Sequence, residues 1–491
     1  MDPSSAIAQN SIIGDRTPGD QNRLRARMMC TLVDPPPPAP VASAPMTTVA
    51  RPAGSLTVGP LRPVILRLAV PAVAMMACHF CFNLIDSIWV GRLIGPAALA
   101  AVSTAGFYTW ILLSLGEMVE VGLIAVAARR HGEGAPEQAA RVAGAAILYA
   151  LAAGLVVSVA GIILANTLFR IMTVPADVAQ LGHAYLSTWL LGGPLVFGFF
   201  SIEATFRASG DTRTPMLLLI ASVLLSVVLD PLLIAGVGPF PRLGVAGAAT
   251  ASVMVRGGGC LIGIAIAWRR GLIRVDAPDW RAVPTMLRVG APLSLAGVLL
   301  SLIYMWLTRF TSRFGTSALA ALGVGHKVEG LGFIAITGFG LSAAALVGQN
   351  LGAKQEVRAR QAVRLAVVYC LVVTVATALA FAAVPERLVA LFTSDPGVIE
   401  DGSLYLRIIA FAQIGQTFEI VLEGALAGAG YTFWPMLVGT VLTALRIPLA
   451  AWWSQAFGLF GIWLALSLTA VSRGVANTIF WLSGTWRKTV I

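Results

Sequence analysis

From Leu61 onward, long apolar runs alternate with short polar breaks rich in Gly, Pro and Arg. Each run matches the ~20 residues that a helix needs to cross a hydrocarbon core of ~30 Å. Twelve can be drawn: residues 63–85, 99–127, 140–165, 180–203, 215–238, 244–268, 284–308, 318–347, 361–384, 403–425, 433–456 and 459–484. The runs are continuous, whereas barrel strands would alternate apolar and polar positions with a period of two. The pattern therefore predicts an all-α integral membrane protein with twelve transmembrane helices. Residues 1–61 break it. They hold DPPPPAP (Asp34–Pro40) and scattered Arg, with no run long enough to span. Such a segment buries too little apolar surface to offset its ordering entropy and is expected to be a disordered tail. It lacks the charged start and apolar stretch of a cleaved signal peptide. An upstream extension that is not translated is the alternative.

The polar breaks repeat. RASGDTRTPMLLL (Arg207–Leu219) and LAGAGYTFWPMLV (Leu426–Val438) share Gly210/Gly430, Thr212/Thr432, Pro215/Pro435, Met216/Met436 and Leu217/Leu437, an offset of 430 − 210 = 220 residues. The same offset pairs GPAALAA (Gly95–Ala101) with GTSALAA (Gly315–Ala321), Gly132 with Gly352, GHAYL (Gly182–Leu186) with GSLYL (Gly402–Leu406), and Glu203 with Glu423. Beyond Pro215/Pro435 the register slips, so that GVAG (Gly244–Gly247) meets GLFG (Gly458–Gly461). Six crossings separate equivalent helices, and an even number returns the chain to the same side. The halves are thus parallel repeats about an axis along the membrane normal. This predicts two six-helix bundles, residues 62–272 and 284–491, joined by a linker at 273–283. A cleft between two bundles at the midplane suits a machine that exposes one site alternately to two faces.

Composition agrees with lipid as the solvent. Only 12% of residues are charged, against about 25% in soluble domains, and mean hydropathy is +0.83. The net charge of +11 raises the question of nucleic acid, but its placement answers it. With the tail inside, sixteen basic residues of the connections fall on its side, including Arg129, Arg207, Arg213, Arg270, Lys354 and Arg358. Six fall opposite: Arg92, Arg170, Arg242, Arg309, Arg313 and Arg387. That is the positive-inside distribution, with both termini cytoplasmic. The partners it implies are the lipid bilayer and small organic substrates, with no nucleic acid. Cys78-His79-Phe80-Cys81 has metal-ligand spacing, but no second C-x-x-C completes a four-ligand set, and buried packing is the simpler role.

NLIDSIWVGRLIGPAALAAVS (Asn83–Ser103), RASGDTRTPM (Arg207–Met216), VVLDPLLIAG (Val227–Gly236), GVAGAATAS (Gly244–Ser252) and ALVGQNLGA (Ala345–Ala353) carry a resemblance across residues 62–487. In order and spacing they resemble the multidrug and toxic compound extrusion (MATE) transporters. The resemblance implies a V-shaped pair of lobes, a bacterial inner membrane and the export of organic, cationic or amphipathic compounds. It further implies exchange for H⁺ or Na⁺, no other cofactor, no resident metal and a monomer.

Charge inside lipid is costly, so intramembrane acids are functional candidates. Asp86 and Asp230 resemble the ion-linked aspartates of the DinF-like branch, with Pro71 as the helix-bending proline fifteen residues before Asp86 (86 − 71 = 15). The resemblance places Ser226 and Ser252 where that branch has Asn and Thr. Losing the amide weakens a dehydrated Na⁺ site more than an H⁺ site. Two carboxylates out of water repel, so one is expected to hold a proton. The other reading is that both aspartates cap helices or bond structurally. The NorM-like branch instead uses acids on helices seven and ten. Here Pro292–Leu307 has none, and Gln416 stands at the helix-ten position, so that site is expected to be absent.

Glu117, Glu120, Glu203 and Glu423 are candidates for lining the cleft and meeting a cationic substrate. Against this, Glu203 is spaced to pair with Arg207 at i, i+4, and Glu117 and Glu120 share one helical face and can form a buried protonated pair. Glu329 is expected to pair with neighbouring His326 or Lys327. Arg256, Arg407, Arg446 and Arg473 lie within the runs and are expected in ion pairs or snorkelling to the interface. Two other readings remain: a flippase for lipid-linked precursors, which would need basic groups in the cleft, and an intramembrane aspartyl enzyme using Asp86 and Asp230.

Overall fold

In the computed structural model, which describes residues 56–171, 176–393 and 395–489, the chain is helical almost throughout. The Pro-rich segment expected to be a tail lies outside the described residues, apart from its last few. The first repeat comprises α1 (Leu61–Leu93), α2 (Pro96–Gly132), α3 (Pro136–Ile171), α4 (Ala176–Leu191), α5 (Gly193–Ser209), α6 (Arg213–Ala235) and α7 (Val245–Arg269). The second comprises α8 (Val283–Thr311), α9 (Thr316–Gly352), α10 (Glu356–Ala383), the short α11 (Pro385–Ala390), α12 (Pro396–Gly428), α13 (Phe433–Ala444) and α14 (Arg446–Ser483).

Twelve crossings follow once two breaks are read. The α4–α5 pair is bent by 55° and makes one crossing. Gly192 and Gly193 stand at that bend, and Pro194 follows at a first-turn position where its missing N–H costs nothing. The stretch Phe433–Ser483 has 51 residues, roughly 76 Å at 1.5 Å per residue and so long enough for two spans. It is broken at Gly458, whose φ of 60° and ψ of −139° leave the helix. The equivalent Gly244 heads α7 at φ 57° and ψ −131°. The repeat thus survives as backbone geometry, again at Gly210 and Gly430 (φ 89° and 77°), which end α5 and the turn after α12.

Hydrophobicity alone ends the first helix at residue 85. In the structure α1 runs on to Leu93, carrying Asp86 inside it, because that carboxylate faces protein rather than lipid. Pro71 lies within α1 and cannot donate to the Arg67 carbonyl; the Thr212 hydroxyl approaches that carbonyl at 3.4 Å.

The lobes meet at the side where α1 begins. There α2 packs on α8 and α9, and α1 packs on α9. Ile65, Leu68 and Ala69 of α1 join a core made otherwise of second-repeat residues, among them Leu346, Val363 and Leu426. Gly132 abuts the backbone of Gln349, and Gly352 abuts the backbone of Arg129, with no room for a Cβ at either glycine. Since 129 + 220 = 349 and 132 + 220 = 352, this contact is one surface meeting its own repeat.

Candidate functional site

The aspartates come together inside the first lobe. Asp86 is 7% exposed and Asp230 is fully buried. Helices α1 and α6 pack side by side and carry both carboxylates into the interior of the lobe. Tyr185 of α4 donates its hydroxyl to Asp86 Oδ2 at 3.1 Å, and Ser226 donates to Asp230 Oδ2 at 2.9 Å. The second oxygen of each, Oδ1, has no hydrogen-bond partner among the described residues. Ser226 thus touches Asp230 at i, i+4, as the spacing suggests. Ser252 is buried on α7 but bonds to neither aspartate. Tyr185 was not singled out by the chemistry of acids, yet it sits in the repeated GHAYL stretch. Two buried carboxylates with two unspent oxygens can accept a proton, or can supply two of the several oxygen ligands that a Na⁺ requires.

A second polar group lies along the same helix. Arg207 is 1% exposed and forms an ion pair with Glu120 of α2. It also lies 3.6 Å from Glu203 one turn earlier on α5. His79 Nε2 of α1 stands 3.6 Å from Glu203 Oε1. Glu120 and Glu203 therefore both face Arg207 within the lobe. Glu117 has an exposed side chain while still in the field of Glu120 and Arg207, and Glu423 is half-buried. Arg256 is buried with its guanidinium 4.7 Å from the centre of the Phe82 ring.

The second lobe is not bare of buried carboxylates. Helix α8 indeed carries no acid in its membrane stretch, but Gln416 of α12 donates to Glu329 Oε1 at 2.7 Å. Tyr405 donates to Glu329 Oε2 at 2.5 Å. Glu329 therefore bonds across to α12 rather than to His326 or Lys327 on its own helix. Tyr405 is the repeat equivalent of Tyr185 (405 − 185 = 220), so the same tyrosine clasps a carboxylate in each lobe. That pairing was readable from GHAYL and GSLYL; the carboxylate partners were not, because they come from different helices. Arg446 donates to Thr469 at 2.8 Å and to Tyr304 at 3.2 Å, and Arg473 pairs with Glu419 at 2.9 Å. Arg407 is exposed and pairs with Glu386 at 2.5 Å. None of the buried arginines snorkels. Among the described residues no group of three or more His, Cys, Asp or Glu converges as a metal centre, and Cys78 and Cys81 are free thiols.

A model of the MatE family matches the chain twice, at residues 71–232 and 292–452. The chain belongs to the MatE family. The two matches start 292 − 71 = 221 and end 452 − 232 = 220 residues apart, which restates the repeat. Members of the family are transporters, so the chain is a multi-pass membrane transporter and not an enzyme. It is 26% identical over 443 residues to a protein of Thermotoga maritima named probable multidrug resistance protein NorM, covering 88% of this chain and 94% of that one. It is 29% identical over 426 residues to a protein of Shewanella oneidensis named FAD transporter, covering 85% and 93%. In fold it is similar to the Vibrio cholerae MATE transporter VcmN in the bent form, with a TM-score of 0.79 and 22% identity, covering 86% and 96%.

Proposed function

We propose that this MatE-family chain is a secondary active multidrug exporter of a bacterial cytoplasmic membrane. Organic compounds, cationic or amphipathic, leave in exchange for H⁺, with Na⁺ as the other coupling ion to be tested. Asp86 and Asp230 carry the ion, in the manner of the DinF-like branch. One observation carries the reading: two buried carboxylates on packed helices, 7% and 0% exposed, each holding one oxygen against a hydroxyl and keeping the other unspent. H⁺ is preferred because, among the described residues, the side-chain oxygens bonded to the two aspartates are the hydroxyls of Ser226 and Tyr185, fewer than replace the hydration shell of Na⁺.

Cargo of positive charge fits the first lobe. Its helices bury four acids, Asp86, Glu120, Glu203 and Asp230, against two arginines, Arg207 and Arg256, and add Glu117. Glu117, with its exposed side chain, is the acid we assign to cargo. A flippase holding pyrophosphate calls for the opposite balance. By the positive-inside distribution the tail side is cytoplasmic. The seam between the lobes then closes the inner face, and the monomer offers its cleft outward.

In everted vesicles, Asp86→Asn and Asp230→Asn should each abolish the collapse of a preformed proton gradient on adding ethidium, with the protein still in the membrane. A wild-type response from both variants refutes the assignment. Imposing a Na⁺ gradient alone in proteoliposomes separates the two ions.

A further inference from the structure

Arg256 lies in α7, 8% exposed, and its guanidinium donates no hydrogen bond and enters no ion pair among the described residues. The other two buried arginines are bound: Arg207 to Glu120, and Arg446 to Thr469 and Tyr304. An unpaired buried cation is among the costliest arrangements a protein can hold, so a resting structural role explains it poorly. What Arg256 does touch is the face of Phe82, at 4.7 Å.

Phe82 fixes where the charge sits. His79, Phe82 and Asp86 follow one another at i, i+3 and i+7 on α1, a single stripe along that helix. At one end of the stripe His79 meets Glu203 at 3.6 Å, and at the other Asp86 accepts from Tyr185. The guanidinium, seated on Phe82 in the middle of that stripe, lies in the field of both carboxylates without an ion pair to either. Asp86 Oδ1 has no hydrogen-bond partner among the described residues, and Glu203 Oε1 is met only by His79, at 3.6 Å. The Arg256 donors are thus unspent near one unspent acceptor and one that is held loosely.

We infer that Arg256 is a positioning residue that Asp86 and Glu203 share, turning to Asp86 when that carboxylate is ionised and to Glu203 when Asp86 binds a proton. The inference rests on Asp86 as the coupling acid and adds the route by which its protonation is felt elsewhere. Arg256 arriving at Glu203 competes with Arg207 and His79 for that carboxylate. Arg207 in turn holds Glu120, one turn from Glu117 on α2. A proton taken on α1 thus loosens the ties between α5 and α2 without any backbone path between them. The charged and titratable groups facing this centre are His79 and Asp86 from α1, Glu120 from α2, Tyr185 from α4, Glu203 and Arg207 from α5, and Asp230 from α6.

The test is the pH at which ethidium efflux from proteoliposomes is half-maximal. Arg256→Gln removes a cation beside Asp86, so Asp86 keeps its proton to higher pH and the midpoint should move alkaline by about one unit. Glu203→Gln leaves Arg256 to Asp86 alone, so the midpoint should move acid. In the Arg256→Gln background Glu203→Gln should move it no further, and Arg256→Lys should restore much of the wild-type profile. Opposite signs follow from charge alone, whereas the lost additivity is what an arginine fixed in place does not produce. An unchanged midpoint in Arg256→Gln, or a Glu203→Gln shift that persists in that background, overturns the inference. Should Arg256→Gln fail to fold, a wild-type midpoint in Glu203→Gln overturns it by itself. If Asp86→Asn keeps a wild-type pH profile, the coupling assignment itself fails, whatever Arg256 does.

Discussion

Asp211 shows how one side chain secures a turn. Its Oδ1 accepts from the backbone N–H groups of Arg213 and Thr214 at 2.9 and 3.0 Å, where α6 begins. Its Oδ2 accepts from the Thr214 hydroxyl at 2.5 Å and from Arg270 at 2.8 Å, tying the turn to the end of α7. Partial burial works to raise its proton affinity, but these donors outweigh it and hold the carboxyl below the ordinary Asp range. A carboxylate held low stabilises the fold fully at neutral pH and loses that contribution as pH falls through its depressed value. Asp211→Ala should therefore cost about 1 kcal/mol at neutral pH, as lost caps do. Thermal unfolding in detergent should show the wild type and variant separated at neutral pH and converging in acid. Equal melting temperatures at neutral pH would show that the turn does not need the carboxylate. The second repeat places Tyr431 at this position, so only the first lobe has the device.

At the scale of elements, what the amino-acid pattern reveals is what lipid selects. The continuous runs expose twelve crossings, and the shared Gly-Thr-Pro frame exposes the duplication, because helix length and turn geometry are local demands. The bend between α4 and α5 escapes a hydropathy reading, though Gly192-Gly193-Pro194 marks it. The extension of α1 past Asp86 escapes too, since a polar residue on a buried face looks like the end of a span. Gly458 is a breakpoint with a checkable cost. At φ 60° and ψ −139° it occupies a region essentially closed to residues with a Cβ. Gly458→Ala should cost about 1–3 kcal/mol, lowering the melting temperature and the yield of folded protein. Gly439 lies inside α13 with open space around its Cα. Gly439→Ala, in contrast, should be neutral or mildly stabilising, by up to about 1 kcal/mol. Equal losses from both would show that bulk, and not backbone geometry, is what these glycines avoid.

At the scale of the whole molecule the tail-side seam is held by few polar bonds, and they fall at one repeated position. Gln349 is 2% exposed; its Oε1 accepts from the N–H of Leu56 at 3.1 Å and its Nε2 donates to the carbonyl of Ala208 at 2.7 Å. Its repeat partner Arg129 donates to the carbonyl of Thr489 at 3.0 Å, reaching from the first lobe to the end of the second. Arg358 adds bonds to the carbonyls of Leu56 and Val58. None of this was legible beforehand, although ALVGQNLGA was, because a residue's partners across a two-fold seam leave no periodic trace. The candidate acids stood out as charges in apolar runs, whereas the fold alone shows that Asp86 faces Asp230 and that Glu120 meets Arg207. Gln349→Ala leaves the Leu56 N–H and the Ala208 carbonyl without their partner, a loss of about 1–3 kcal/mol each where water is excluded. Every 1.4 kcal/mol moves a two-state population about tenfold, so the closed seam should give way to the open one. Spin labels at exposed Arg213 and Val357, one on each lobe at this side, should report it as added long-distance population in Gln349→Ala. Gln349→Glu, which keeps the acceptor for Leu56 and loses the donor for Ala208, should fall between. Identical distance distributions in all three would mean that the apolar contact around Ile65 and Leu346 closes the seam unaided, and that opening is decided at the carboxylates instead.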